Sequence, residues 1–224
     1  MSAKKITSDR KRSRPVTKRR RVENKYVIGI IVVVIAVVAL VSIYVYIGNG
    51  TNNVTVGNPI AVIDTSEGTI RVELYSDKVP NTCENFINLA NDGFYDGIVF
   101  HRVMDNFMIQ TGGFEADGNP KSSPYGQIDL EIDEELRHVD GAIAMARQGQ
   151  DMTDPTFFNT ATSQFYICDE AQHGLDDYYT VFGKVIEGMD VVRSIASVNT
   201  TTKYGMEKWP IDDIIINSIE IEYQ

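Results

Sequence analysis

The chain of 224 residues has a formal net charge of -10, two cysteines and three histidines, enough for one ordinary globular domain with attachments and little room for two. The charge is uneven: residues 1–25 carry eleven Lys/Arg against Asp9 and Glu23, whereas the remainder carries ten against twenty-nine Asp/Glu. An acidic body argues against a nucleic-acid partner, which needs basic surface, and two cysteines argue against a disulfide-dense secreted scaffold.

Residues 1–25 are expected to be a disordered basic tail. "KRSRPVTKRRR" also fits a nuclear-import or nucleic-acid patch, but its place beside a long apolar run favours a topogenic role. That run, Tyr26 to Ile47, has 22 residues without a charge. At about 1.5 Å per residue it spans roughly 33 Å as a helix, enough for a bilayer core of about 30 Å, and it is the predicted membrane partner. Nine Lys/Arg precede it within residues 6–25 and none follows until Arg71, so the N-terminus is expected in the cytoplasm and the body outside the cell membrane. A cleaved signal peptide is the alternative, disfavoured because the run exceeds the usual apolar length of about 7 to 15 residues. Residues 48–58, rich in Gly, Asn and Thr, read as a flexible linker. Asn49, Asn53 and Asn199 open N-x-Ser/Thr sequons.

The body, residues 59–224, reads mostly as strands. "GTIRVELY" turns Ile70, Val72 and Leu74 to one face, and "INSIEIEY" does the same with Ile219, Ile221 and Tyr223. "IAVID", "IVFHRV", "FMIQT", "AIAMAR", "QFYIC" and "TVFGKV" are further strand candidates. "PNTCENFINLAND" places Cys83, Phe86, Ile87 and Ala90 at helical spacing between Pro80 and Gly93, and "GMDVVRSIAS" does likewise with Met189, Val192 and Ile195. About eight strands and two helices predict a mainly β fold, a closed eight-stranded antiparallel barrel capped by two α-helices and preceded by the transmembrane helix. The one long irregular connection is expected between Met145 and Gln164, and the acidic run "DLEIDEEL" reads as a solvated face. Cys83 and Cys168 read as buried small apolar residues, with a single bridge left open.

The chemistry of the body is constrained by what is missing from it. No Cys/His metal spacing, Gly-rich phosphate loop or G-x-S-x-G elbow occurs, and His101, His138 and His173 share no ligand spacing, so no metal and no cofactor are expected. "FHRVMDNFMIQTGG" instead puts an arginine and a glutamine on apolar strands. A reaction needing neither nucleophile nor proton transfer is rotation about an X-Pro peptide bond, whose barrier of about 18–20 kcal/mol comes from amide resonance. A guanidinium in a water-poor pocket can donate to the prolyl nitrogen lone pair, which leaves conjugation only in the twisted state.

Six stretches in register, "KVPNTCENF", "FHRVMDNFMIQTGG", "GAIAMAR", "ATSQFYI", "LDDYYTVFGKV" and "EGMDVV", resemble the cyclophilin-type peptidyl-prolyl cis-trans isomerases from about Ile60 to Tyr223, in a membrane-anchored, prokaryotic-like form. The resemblance implies X-Pro segments of polypeptides as partners and a catalytic set of Arg102, Gln110 and His101, the last as a support. It implies a substrate groove of Phe107, Met108, Ala146, Arg147, Gln164, Tyr166, Leu175 and Tyr179. Arg147 and Tyr179 are choices of prokaryotic members. Tyr166 replaces a frequent phenylalanine and needs a partner for its hydroxyl. Gly174 stands where cyclosporin-sensitive members carry tryptophan, implying weak binding of that drug. A membrane-tethered proline-binding module or chaperone without turnover is the alternative function.

Overall fold

The hairpin that opens the body forms because Ile63, Ile70, Val72 and Leu74 alternate with polar residues, and all four are fully buried. In the computed structural model, which describes residues 57–224 together with 28–30, 32 and 34–37, this hairpin is β1 (Ile60–Thr65) and β2 (Gly68–Leu74). The strands that follow are β3 (Arg102–Met104), β4 (Met108–Thr111), β5 (Ala142–Met145), β6 (Phe165–Cys168), β7 (Val181–Glu187), β8 (Thr200–Lys203), β9 (Met206–Pro210) and β10 (Ile216–Glu222). Two α-helices, α1 (Pro80–Asn91) and α2 (Met189–Ala196), stand where the apolar spacing predicts them.

The main sheet has eight antiparallel strands in the order β10-β1-β2-β7-β5-β6-β4-β3. The predicted strand count is present, but the closed barrel is not: among the described residues β3 and β10 share no ladder. The gap carries one bridge, Val99 with Ile215, flanked by bonds from Phe100 N to Ile214 O and from Ile216 N to Ile98 O. The "IVFHRV" segment is therefore a strand only at its end, and the fold is a mainly β half-barrel.

β10 also departs from strict alternation. Ile216 and Ile219 are buried three residues apart, while Ile221 is half-buried and Tyr223 exposed. The register between β1 and β10 shifts at Asp64/Thr65, and this bulge moves the inward positions off a uniform period of two. β8 and β9 form a separate hairpin that the polar sequence "TTTKYGMEKWP" does not advertise.

The core lies between the inner face of the sheet and α1. Phe86 from α1 sits at its centre, with ring centroids 5.4 Å from Tyr95, 5.3 Å from Phe165 and 5.2 Å from Phe182. Cys83 and Cys168 are free, buried thiols that form no bridge, and burial pushes both up to about 12.

The acidic run is not simply a solvated face. Glu131 reaches the start of α1, where Val79 offers no side-chain cap, and accepts from Asn81 N (3.3 Å), Asn81 Nδ2 (2.9 Å), Thr82 N (2.7 Å) and Thr82 Oγ1 (2.6 Å). A carboxylate at these donors satisfies orphan amides and complements the helix dipole. Glu131→Ala is expected to cost about 1–2 kcal/mol, the scale of a lost N-cap, seen as a lowered urea midpoint; an unchanged midpoint would refute the capping role.

A second long connection, residues 112–141, was not expected. It is irregular apart from isolated bridges such as Phe114 with Pro120 and Ile128 with Ala161.

The transmembrane helix expected over 26–47 lies mostly outside the described residues. The eight residues described there are helical and exposed, and among the described residues no helix is long and apolar enough to cross a membrane. The tail over 1–25 and nearly all of the linker over 48–58 also lie outside the described residues. The chain divides into two units, Met1–Thr55 and Val56–Gln224, and the fold described is that of the second.

Candidate active site

Strands β4, β5 and β6 are buried on both faces, which identifies the sheet region that something else covers. Their inward residues, Ile109, Ile143, Phe165 and Ile167, join the main core. Their outward residues, Met108, Ala142, Ala144, Tyr166 and Cys168, form a second apolar cluster with Val181, against which Phe107, Ala146, Leu175 and Tyr179 pack.

Register does the rest. Arg102 pairs with Gln110, Gln110 with Tyr166, and Tyr166 with Ala144, so one row across β3, β4, β6 and β5 sets all four on the outer face. The neighbouring row joins Met104, Met108 and Cys168. Phe107 arrives from the tight β3–β4 turn, where Asn106 takes φ 58° and its amide donates to Asp169 Oδ2 at 2.9 Å. Leu175 closes the other side from a 3₁₀ turn over His173–Leu175.

The result is a groove of about 510 Å³ lined by Arg102, Phe107, Met108, Gln110, Ala146, Arg147, Tyr166, Leu175 and Tyr179, together with Gly149 and Gln150. Arg102 is half-buried. Its Nη1 lies 3.8 Å from Met108 Sδ and 3.5 Å from Gln110 Oε1, and its Cζ lies 5.7 Å from the centre of the Phe107 ring. Burial lowers its pKa from the ordinary arginine value, yet a guanidinium stays protonated in proteins. No carboxylate forms a salt bridge with it among the described residues, so its charge is not neutralised by an ion pair where it lines the groove. The Gln110 amide is oriented by its two partners: Oε1 accepts from Arg102, and Nε2 donates to Gln164 Oε1 at 3.0 Å.

Gln164 lines an adjoining hollow of about 190 Å³ with Ala146, Arg147, Gln148, Thr160 and Thr162. The glycine pair of "IQTGG" makes room for it. A side chain on Gly113 would overlap the Gln164 amide, and Gly112, at φ 89°, lies against the Ser163 carbonyl.

His101 is not brought into the groove. On a strand adjacent residues face opposite ways, so with Arg102 outward His101 turns inward. It is buried, its ring 4.8 Å from Phe114 and 6.3 Å from Trp209, and its Nδ1 has no hydrogen-bond partner among the described residues. Burial is the main cause of a pKa lowered to about 4, opposed by the Val99 backbone and the Gln164 side chain and reinforced by Arg102. Any support His101 gives the site is therefore exerted from the inner face of the sheet, where its ring packs by Phe114 and Trp209, and not from within the groove.

Arg147 lines the groove while its own donors serve the loop that follows. Nε donates to Tyr178 O at 3.0 Å, Nη1 to Gln148 O at 3.3 Å and Nη2 to Met152 O at 2.5 Å, with the guanidinium 4.7 Å from the Tyr179 ring centre and 5.1 Å from that of Phe158. The loop is thus built into the groove wall, bringing Gly149 and Gln150, which motif comparison did not single out. Its length between Met145 and Gln164 was the only signal. At Gly174, fully open space lies where a side chain would stand, so the rim is low there.

The family model for cyclophilin type peptidyl-prolyl cis-trans isomerase/CLD matches residues 60–221. The chain belongs to this family. A peptidyl-prolyl cis-trans isomerase-like 1 of Aspergillus fumigatus is 39% identical over 157 residues, covering 69% of this chain and 90% of the relative. A peptidyl-prolyl cis-trans isomerase of Acinetobacter baylyi is 39% identical over 168 residues, covering 74% and 86%. With a fungal and a bacterial relative at the same identity, overall similarity does not favour the prokaryotic branch. A crystal structure of a cyclophilin type isomerase from Cryptosporidium parvum is similar with a TM-score of 0.61 and 29% identity, over 74% of this chain and 97% of that one. The activity of the chain is peptidyl-prolyl cis-trans isomerisation.

Proposed function

We propose that Arg102 carries the isomerisation by donating to the prolyl nitrogen of an X-Pro segment seated in the groove. The observation that supports this is the cross-strand row, which stands Arg102 and Gln110 beside the apolar cup of Phe107, Met108, Tyr166 and Leu175. The cup takes the proline ring and excludes water, which strengthens the guanidinium's interaction with the nitrogen as its lone pair leaves conjugation. Gln110 holds the adjoining backbone, and the Gln164 hollow takes residues preceding proline. A solved Cryptosporidium parvum relative in the presence of the dipeptide Ala-Pro, 28% identical with a TM-score of 0.60, supports X-Pro as the ligand class. Rotation about an amide moves no electron or proton to an acceptor, so the step is proposed to run without a cofactor.

NMR exchange spectroscopy on a short Xaa-Pro peptide tests the reading with the full chain in detergent. Cis–trans exchange accelerated well beyond its uncatalysed scale of about 10–100 s is expected. Peptide shifts on binding without acceleration would replace it with the tethered proline-binding module.

The same proposal places the domain outside the cell membrane, held there by residues 26–47 and acting on secreted or surface proteins. The support is the uncharged run and the basic cluster before it. The chain is expected in the carbonate-resistant membrane fraction with its N-terminus shielded from external protease; recovery in the soluble fraction would sink the anchor. Weak cyclosporin binding is proposed from the open rim at Gly174, and a tight complex in titration would refute it.

A further inference from the structure

Tyr166 forms part of the groove, yet its hydroxyl points away from substrate and into the protein. It meets His138 Nε2 at 2.9 Å, and His138 is fully buried with its ring nearly parallel to that of Tyr166, at 16° with centroids 6.0 Å apart. On the far side of the imidazole, Nδ1 meets Asp176 Oδ1 at 2.9 Å, and the His138 backbone amide donates to the same oxygen at 2.6 Å. A carboxylate only accepts, so Nδ1 carries the proton and Nε2 is left as the acceptor for the Tyr166 hydroxyl. Burial lowers the His138 pKa despite the opposing pull of Asp176, which keeps the ring neutral as this arrangement requires.

Asp176 directly follows Leu175 and ends the 3₁₀ turn that carries it. Its second oxygen accepts from His173 Nδ1 at 3.1 Å and lies 3.6 Å from Arg137 Nη1. One buried carboxylate therefore anchors both walls of the cup: Leu175 through the backbone turn, and Tyr166 through the imidazole.

We propose that His138 and Asp176 are positioning residues of the isomerase site, which hold the Tyr166 ring and the Leu175 turn in the geometry that receives proline. The inference rests on the groove being the proline site. A phenylalanine at 166 would present the same ring to substrate without this tie, so the relay is a feature of the tyrosine in this chain. It also explains how a buried hydroxyl sits behind an apolar cup without making it polar: its hydrogen-bonding capacity is used on the side away from substrate.

The test is a double-mutant cycle on the full chain in detergent, read as kcat/KM for Xaa-Pro exchange. His138→Leu is expected to lower kcat/KM roughly tenfold and Tyr166→Phe about threefold, while His138→Leu in the Tyr166→Phe background costs less than a further threefold. A full tenfold loss in that background would show that His138 acts on the fold at large and would overturn the proposal. A measurement on the unsubstituted protein is independent of any variant's folding: imidazole ¹⁵N shifts should report His138 protonated at Nδ1, and the Nε2-protonated tautomer would overturn the relay. Failure of the unsubstituted chain to accelerate exchange would count against the isomerase reading instead, and the tautomer would still decide the relay.

Discussion

Replacing Arg102 with alanine is expected to lower kcat/KM for Xaa-Pro exchange by about 10²- to 10³-fold, the scale on which one preorganised transition-state donor acts. The loss should appear mainly in kcat, because the nitrogen accepts a hydrogen bond only once its lone pair has left conjugation. Stability should change little. Arg102 is half-buried, and its neighbours within hydrogen-bonding range are Met108 Sδ and Gln110 Oε1, so its removal strands no carboxylate. The desolvation that lowers its pKa is a cost borne by the folded state, which alanine relieves. Arg102→Lys should recover only a small part of the activity: an ammonium keeps the charge, but it is compact and strongly hydrated and lacks the planar fork. Exchange spectroscopy beside urea denaturation separates the two effects. Near-normal exchange in a folded Arg102→Ala variant would remove the guanidinium from the mechanism.

The row that brings Arg102 to Gln110 was only half legible. The period of two marks which residues of a strand share a face, and it picks out Ile70, Val72 and Leu74 without error. It carries no register. That Gln110 stands opposite both Arg102 and Tyr166 depends on the turn at Asp105 and Asn106 and on which strands become neighbours, and the motif order supplied this by resemblance. The inward turn of His101 is available from the period itself, since a residue beside an outward arginine faces the other way, and it is consistent with the supporting role expected of that residue. Glu131 shows the opposite limit. It caps α1 from about fifty residues away, and nothing local distinguishes it from Asp133 or Glu135, which lie near the exposed Lys78 ammonium. Polar hairpins such as β8–β9 escape for a related reason: their hydrophobic content is concentrated in Trp209, which is fully buried beside His101, Phe114 and Tyr204.

The neutral His101 behind the groove yields the second large expectation, a loss of stability between pH 6.5 and pH 4 with little direct effect on the chemical step above pH 5. Its pKa is about 4 in the folded chain against an ordinary value of about 6.5, so between those limits the unfolded chain binds a proton that the folded chain refuses. Stability therefore rises with pH across the window; the contribution is fully present above about 6.5 and drains away as pH falls toward 4. The gap corresponds to roughly 3 kcal/mol at its full extent. His138 is lowered in the same direction, with burial outweighing Asp176, and adds to the loss on acidification. Burial pulls the Asp176 carboxyl up, but bonds from the His138 backbone, His138 and His173 outweigh it and leave it below the ordinary carboxylate value, so its own contribution is lost only at still lower pH. Urea midpoints of the full chain at pH 7.5 and pH 4.5 should differ clearly. His101→Phe, which keeps an aromatic ring against Phe114 and Trp209, should flatten the slope by about one proton while leaving the neutral-pH midpoint close to that of the unsubstituted chain. A midpoint that does not move between those pH values, or an unchanged slope in His101→Phe, would mean that the imidazole accepts a proton without leaving its place between Phe114 and Trp209, and that burial does not hold it neutral.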